Sequence, residues 1–137
     1  MSYDNNNIFA KILRNELPVI KVYENETTLA FMDIMPQAEG HILVIPKEPA
    51  EDLLSLSDDS AADLIVKVKR LAKAVKKGMN ASGITIFQLN GADAGQTVPH
   101  IHFHILPGSI LSAKSHASVS ADQSHLESIA EKIKSAL

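Results

Sequence analysis

The stretch TVPHIHFHILPG, residues 97 to 108, sets His100, His102 and His104 on alternate positions with Ile101, Phe103 and Ile105 between them. Alternation with a period of two is the signature of an extended strand. It predicts a strand over 100–106 with three imidazoles on one face and apolar side chains on the other. A strand of that kind must bury its apolar face, so the remaining segments have to supply a sheet and something to cover it.

They do. IFAKILRNE spaces Ile8, Phe9, Ile12 and Leu13 as a short helix, with Pro18 as its stop, after a polar start at residues 1–7 that is expected to fray. VIKVYE (19–24) and TTLAFMDI (27–34) read as a hairpin around ENE, MPQAEG as a loop, and HILVIP (41–46) as an apolar strand closed by Pro46. AEDLLSL holds one helical turn at most. Residues 57 to 78 repeat Ala61, Leu64, Ile65, Val68, Leu71, Ala72 and Val75 at three and four. Acidic residues cluster near the start of that helix and lysines near its end, matching the macrodipole, and Gly78 suits the position just past its end. ITIFQLN (84–90) adds a strand and GADAGQTVP a glycine-containing loop.

A small, polar segment over 108–121 leads to a last helix carrying Leu126, Ile129, Ala130 and Ile133, with Ser124 and Glu127 spaced as a capping box. The expected fold is a single α+β domain over 1–137. It has a five-stranded antiparallel sheet and two main helices gathered against it.

Composition narrows the function by exclusion. The formal charge of −3 gives no footprint for nucleic acid or an acidic membrane, and the longest apolar runs are too short to span a bilayer. The lysines and arginine of residues 67–77 read as a solvated helix face. Without cysteine there are no disulfides, thiolate nucleophiles or thiolate zinc sites. MSYDNNN lacks the basic and apolar regions of a signal peptide, so a cytoplasmic protein is expected.

Three readings compete for the histidine strand. One is a polar, half-exposed strand face. Another is a metal site shared by two of the histidines, with His41 as an outside ligand. Residues four apart on a strand lie about 13 Å apart, so His100 and His104 do not converge on one ion past His102, and no carboxylate or thiolate flanks the group in sequence. The third reading is nucleophilic catalysis at phosphorus. A neutral imidazole attacks near pH 7 without first losing a proton, provided its other nitrogen is held by an acceptor and donors meet the phosphoryl oxygens. The neighbouring histidines and the amides of GADAGQTV could serve as those donors.

HIHFHIL, preceded in order by IFAKILRNELP, AFMDIMPQAEGHILVIPK and NGADAGQTV, resembles the Hint branch of the histidine-triad superfamily, over about Ile8 to Gly108. The resemblance implies a homodimer in which two sheets join into ten strands. It also implies hydrolysis of purine nucleoside 5′-phosphoramidates and related adenylates through a nucleotidyl-histidine, with no cofactor and no metal. By position, His102 matches the nucleophile and His100 the residue whose carbonyl orients it. His104 matches a phosphate partner and His41 the fourth histidine. Gln96, Thr97 and Asn90 match contacts to phosphate or leaving group, Thr97 standing where serine is frequent. Asp33 and Ile34 match the ribose contacts, and Phe9, Ile12 and Phe31 the base pocket, with core packing as the alternative for those three.

His116 and His125 lie outside the pattern and are expected at the surface. The segment after Gly108 is longer than in eukaryotic relatives and ends in a helix, so leaving-group preference is open. The cysteine-bound structural zinc of some bacterial relatives is not expected. A dinucleoside polyphosphate hydrolase of the same superfamily and a nucleotide-sensing or scaffold protein remain as alternatives.

Overall fold

A computed structural model describes residues 2–112 and 121–137. Five strands, β1 (Lys21–Glu24), β2 (Thr28–Met32), β3 (Ile42–Pro46), β4 (Ile84–Gln88) and β5 (Phe103–Pro107), form one antiparallel sheet in the order β1-β2-β3-β5-β4. Three helices accompany it, α1 (Ile8–Leu13), α2 (Asp58–Gly78) and α3 (Gln123–Lys134). The α+β architecture is the one the sequence pattern predicts.

Every residue of β2 and β3 is buried, because the sheet is covered on both faces. Ala30, Met32, Ile42, Val44 and Ile105 point to one side, where α2 contributes Leu64, Val68, Leu71 and Val75, and α3 contributes Leu126, Ile129 and Ile133. Leu29, Phe31, Leu43 and Ile45 point to the other, where Phe9 and Ile12 of α1 cover them. The two main helices, α2 and α3, gather against the sheet as expected, and both lie on one face of it. The short α1 takes the opposite face, and continuous apolar runs such as ILVI are what a strand buried on both sides requires.

The helix boundaries follow from local chemistry, with three corrections. α1 closes on Asn15, two residues past Leu13, and not at Pro18. Asn15 adopts φ 62°, Glu16 N–H reaches Lys11 O at 2.9 Å and Asn15 N–H reaches Ile12 O at 3.0 Å, a Schellman closure. α2 starts at its Ser57 cap but closes the same way on Asn80 (φ 51°), not on Gly78. Gly78 is the last helical residue, and a Cβ there would meet Lys132 O at 2.7 Å. It is needed for close approach of α3, not for a left-handed turn. α3 is capped by Asp122, whose carboxylate accepts from His125 N–H, so the Ser124–Glu127 pair is not a capping box.

Residues 2–7 are not frayed as expected. Asn7 is buried, caps α1 through Ala10 N–H and donates to Asp4 O at 2.7 Å, while Arg14 donates to Asn5 O at 2.8 Å. The polar segment 108–121 is described at both ends, and Ala121 N–H donates to Ile34 O at 2.8 Å. Its central residues 113–120, His116 among them, lie outside the described residues. His125 is half-exposed and lies 3.4 Å from Glu39. No helix among the described residues is long and apolar enough to cross a membrane.

Candidate active site

Only His104 of the three alternating histidines belongs to the sheet. β5 begins at Phe103, opposite Val44, with His104 opposite Leu43 on one side and Phe87 on the other. Continuing the register would set Ile101 against Pro46, which has no N–H to give. Ile101 N–H instead bonds Ala50 O at 3.0 Å, and His100 sits in a bend after Pro99. The strand predicted over 100–106 is thus two segments, an irregular one with His100 and His102 and a ladder from Phe103.

That break lets each imidazole find a different environment. His100 is fully buried, its Nε2 2.9 Å from Pro46 O and its Nδ1 2.5 Å from the Tyr3 hydroxyl. A carbonyl only accepts, so the His100 proton is on Nε2, and Nδ1 accepts from Tyr3. His102 places Nδ1 2.7 Å from His100 O, and by the same logic Nδ1 carries the proton and Nε2 keeps its lone pair. The Phe9 ring meets His102 edge-on at 4.9 Å.

The second pair is set from a backbone amide. Gln37 N–H donates to His41 Nδ1 at 3.1 Å, so the neutral His41 ring holds its proton on Nε2, which lies 2.9 Å from His104 Nδ1. His104 then carries its own proton on Nε2, as a donor. Its ring stacks on Phe87 at 4.2 Å and lies 5.0 Å from the His102 ring. Burial holds all four imidazoles below their ordinary pKa: His41 and His100 at about 4, His104 at about 3, and His102 lowered as well. The cluster is neutral at pH 7, with one free lone pair on His102 beside one N–H donor on His104.

Tertiary structure adds a carboxylate that the sequence spacing hid. Asp33 Oδ2 lies 3.6 Å from His41 Nε2, and burial raises the Asp33 pKa. Asp33, His41 and His104 thus bring three donor atoms within 4.8 Å of one another. The spacing suits a divalent metal, but the proton positions do not. A metal on His41 Nε2 would move the proton to Nδ1, against the Gln37 N–H that already points there. The donor set fits a hydrogen-bond chain.

The loop between β4 and β5 holds the residues matched to phosphate contacts. Gly95 there takes φ 102°, open to glycine at no steric cost. Gln96 is spent on the loop itself: its Oε1 accepts from Gly91 N–H at 2.7 Å, and its Nε2 donates to Glu51 O and Val98 O. The amides of Gly91, Ala94, Gly95 and Gln96 are likewise tied, so the loop offers fewer free donors than GADAGQTV suggests. Thr97 is exposed, and among the described residues no protein partner takes its amide or hydroxyl. Asn90 pairs reciprocally with Gln88 and accepts from Leu53 N–H, which leaves one of its amide protons for a ligand.

Phe9, Ile12 and Phe31 are all buried in the cluster under α1, the packing role weighed against a pocket role. Ile12 also borders an open cleft of about 360 Å3 with Leu17, Pro18 and Val19, residues that sequence spacing did not single out. Ile34 is exposed just past Asp33.

Comparison with known proteins agrees with this geometry. The HIT domain family matches residues 14–110, and the chain belongs to that family. It is 44% identical over 100 residues to adenosine 5′-monophosphoramidase of Schizosaccharomyces pombe, covering 73% of this chain and 72% of the relative. The crystal structure of a Hit-like protein from Bartonella henselae, described as involved in cell-cycle regulation, superposes with a TM-score of 0.93 at 47% identity over all of both chains. A zinc-bound histidine triad family protein from Mycobacterium smegmatis superposes with a TM-score of 0.81 at 32% identity, covering 96% of this chain and 92% of that one.

Proposed function

We propose that the protein hydrolyses purine nucleoside 5′-phosphoramidates and related adenylates through a nucleotidyl-histidine on His102. The observation that carries this reading is the bond from His102 Nδ1–H to His100 O, which leaves the Nε2 lone pair free on a neutral ring. In the first displacement, Nε2 attacks the α-phosphorus and the P–N bond to the amine breaks, the nitrogen leaving as the amine with a proton from solvent. His104 Nε2–H is the nearest ring donor for the departing amine or for a phosphoryl oxygen. In the second, water attacks phosphorus, the P–N bond to His102 breaks and a proton returns to solvent, releasing the nucleoside monophosphate and restoring neutral His102. Thr97 and the free Asn90 proton are donors for the phosphoryl oxygens. Similarity to relatives named adenosine 5′-monophosphoramidase supports the substrate class.

In this reading Asp33 accepts the ribose hydroxyls and Phe9, Ile12 and Phe31, which pack together under α1, border the base. Asp33→Ala then raises KM for an AMP–amine conjugate by a loss of roughly 1–3 kcal/mol, with thermal stability little changed. Unfolding of that variant with nucleotide affinity intact would make Asp33 structural instead. Turnover of a panel of adenosine and guanosine phosphoramidates beside diadenosine polyphosphates tests the substrate class. Faster turnover of the polyphosphates would turn the assignment to the other hydrolase branch, and no turnover of either to a nucleotide-binding role.

The working unit in this reading is a homodimer. Both β1 and β4 are edges of the sheet, and β4, paired on one side only, exposes the apolar Ile86. Sedimentation at micromolar concentration is expected to give about twice the 14.8 kDa chain mass. A monomer would remove the dimer from the proposal.

A further inference from the structure

We propose that Tyr3 is a positioning residue for His102, acting through the ring of His100. The inference rests on the reading of His102 as nucleophile, but its geometry stands apart from it. Tyr3 lies 97 residues from His100 in the chain, and its hydroxyl is 2.5 Å from His100 Nδ1, with the two rings edge-to-face at 5.6 Å. The other His100 nitrogen is bound to Pro46 O, so the ring is held at both ends and its backbone carbonyl is held with it. That carbonyl is the acceptor for His102 Nδ1–H. Two hydrogen bonds, joined through His100 and braced by its bond to Pro46 O, thus run from the N-terminal segment to the orientation and tautomer of His102.

The segment that delivers Tyr3 is built to stay. Asp4 O accepts from both the backbone and the side chain of buried Asn7, and Asn7 caps α1. From the same helix Phe9 sets its ring against His102 and, at 6.4 Å, against His100. One short stretch of chain therefore grips the His100–His102 segment at two points, a hydroxyl on one ring and an aromatic edge on both. His100 and His102 lie outside the β-ladder, so the sheet does not hold them as it holds His104. Tyr3 replaces what the missing ladder bonds would have supplied. Without its hydroxyl, His100 Nδ1 is a buried acceptor with no donor, and the ring gains freedom to turn.

The test compares the wild-type chain with Tyr3→Phe, which keeps the ring and removes only the oxygen. Two readouts are taken: nitrogen-15 spectra of the histidine rings in the free protein, and kcat and KM for an AMP–amine conjugate. The expected result is a shift in the ring-nitrogen signals of both His100 and His102, with kcat lowered roughly three- to tenfold and KM within about twofold. A variant that melts earlier but leaves the His102 signals and kcat unmoved would reduce Tyr3 to an anchor for the segment and overturn the proposal. A second measurement needs no variant. In the wild-type protein the Tyr3 hydroxyl proton should exchange slowly and couple to His100 Nδ1, and a freely exchanging proton would also overturn it. If the wild-type protein fails to turn over the conjugate, the functional reading falls, while the spectra still decide whether Tyr3 positions His102.

Discussion

His102→Ala is expected to lower turnover of an AMP–amine conjugate by several orders of magnitude while AMP binding and the fold persist. A covalent route depends on its nucleophile at both displacements, so the loss far exceeds that of one hydrogen bond. Wild-type hydrolysis should proceed with net retention at phosphorus, the sum of two inversions. Because burial lowers the His102 pKa, the acid limb of the rate profile should lie below the ordinary histidine value. Chelators should leave the rate unchanged, as the proton positions on His41 and His104 imply. Loss of activity on chelation with recovery on zinc, or substantial turnover by His102→Ala, would sink the nucleophile assignment.

Acid should destabilise the fold steeply, and for the same reason that the site is neutral. In the unfolded chain His41 and His100 take up protons near pH 6.5; in the folded protein burial holds them off until about pH 4. Between those values the unfolded state binds more protons, so stability is present above about pH 6.5 and is lost as pH falls toward 4. Both rings are buried, at 1% and 0% exposure, so solvent screening takes little from the effect. At pH 5 each should cost roughly 2 kcal/mol, about 4 kcal/mol for the pair. His104 adds in the same direction, whereas the raised pKa of Asp33 opposes it. Denaturant unfolding at pH 7 and pH 5 measures the difference. A stability unchanged between the two would mean that the imidazoles are already solvated or charged in the folded state.

Both expectations start from imidazoles that were visible in the sequence, but their environments were not. Alternation of His100, His102 and His104 marked the segment on which the candidate site is built. The imidazoles do share the face under α1, opposite Ile101, Phe103 and Ile105, but the inference of one continuous strand failed, because Pro46 lacks the N–H group that a longer ladder needs. His100→Ala illustrates the consequence. If His100 contributed only its carbonyl, alanine would be a mild change. The structure shows a fully buried ring bonded at both nitrogens, so the substitution removes packing and two hydrogen bonds as well.

Local periodicity determined what local physics controls. The continuous apolar runs over residues 28–32 and 42–46, the three-and-four repeat over 58–78 and the apolar stripe of the last helix each fix an element, because apolar surface has to be buried. The caps were legible only in part. The start of the long helix at Ser57 was, whereas Asn15 and Asn80 compete as helix ends with nearby Pro18 and Gly78, and only the φ angles and closing bonds distinguish them.

The site itself belongs to tertiary structure. His41 meets His104 across 63 residues, His100 meets Pro46 across 54, and Tyr3 meets His100 across 97. No local pattern encodes such pairs. They form because two central strands buried on both faces bring Asp33, His41 and His104 to one place, and a polar N-terminal segment folds back over the break before β5. The sequence named the imidazoles; their neutral state, their proton positions and the single free lone pair on His102 follow from burial and long-range hydrogen bonds that exist only once the sheet has closed.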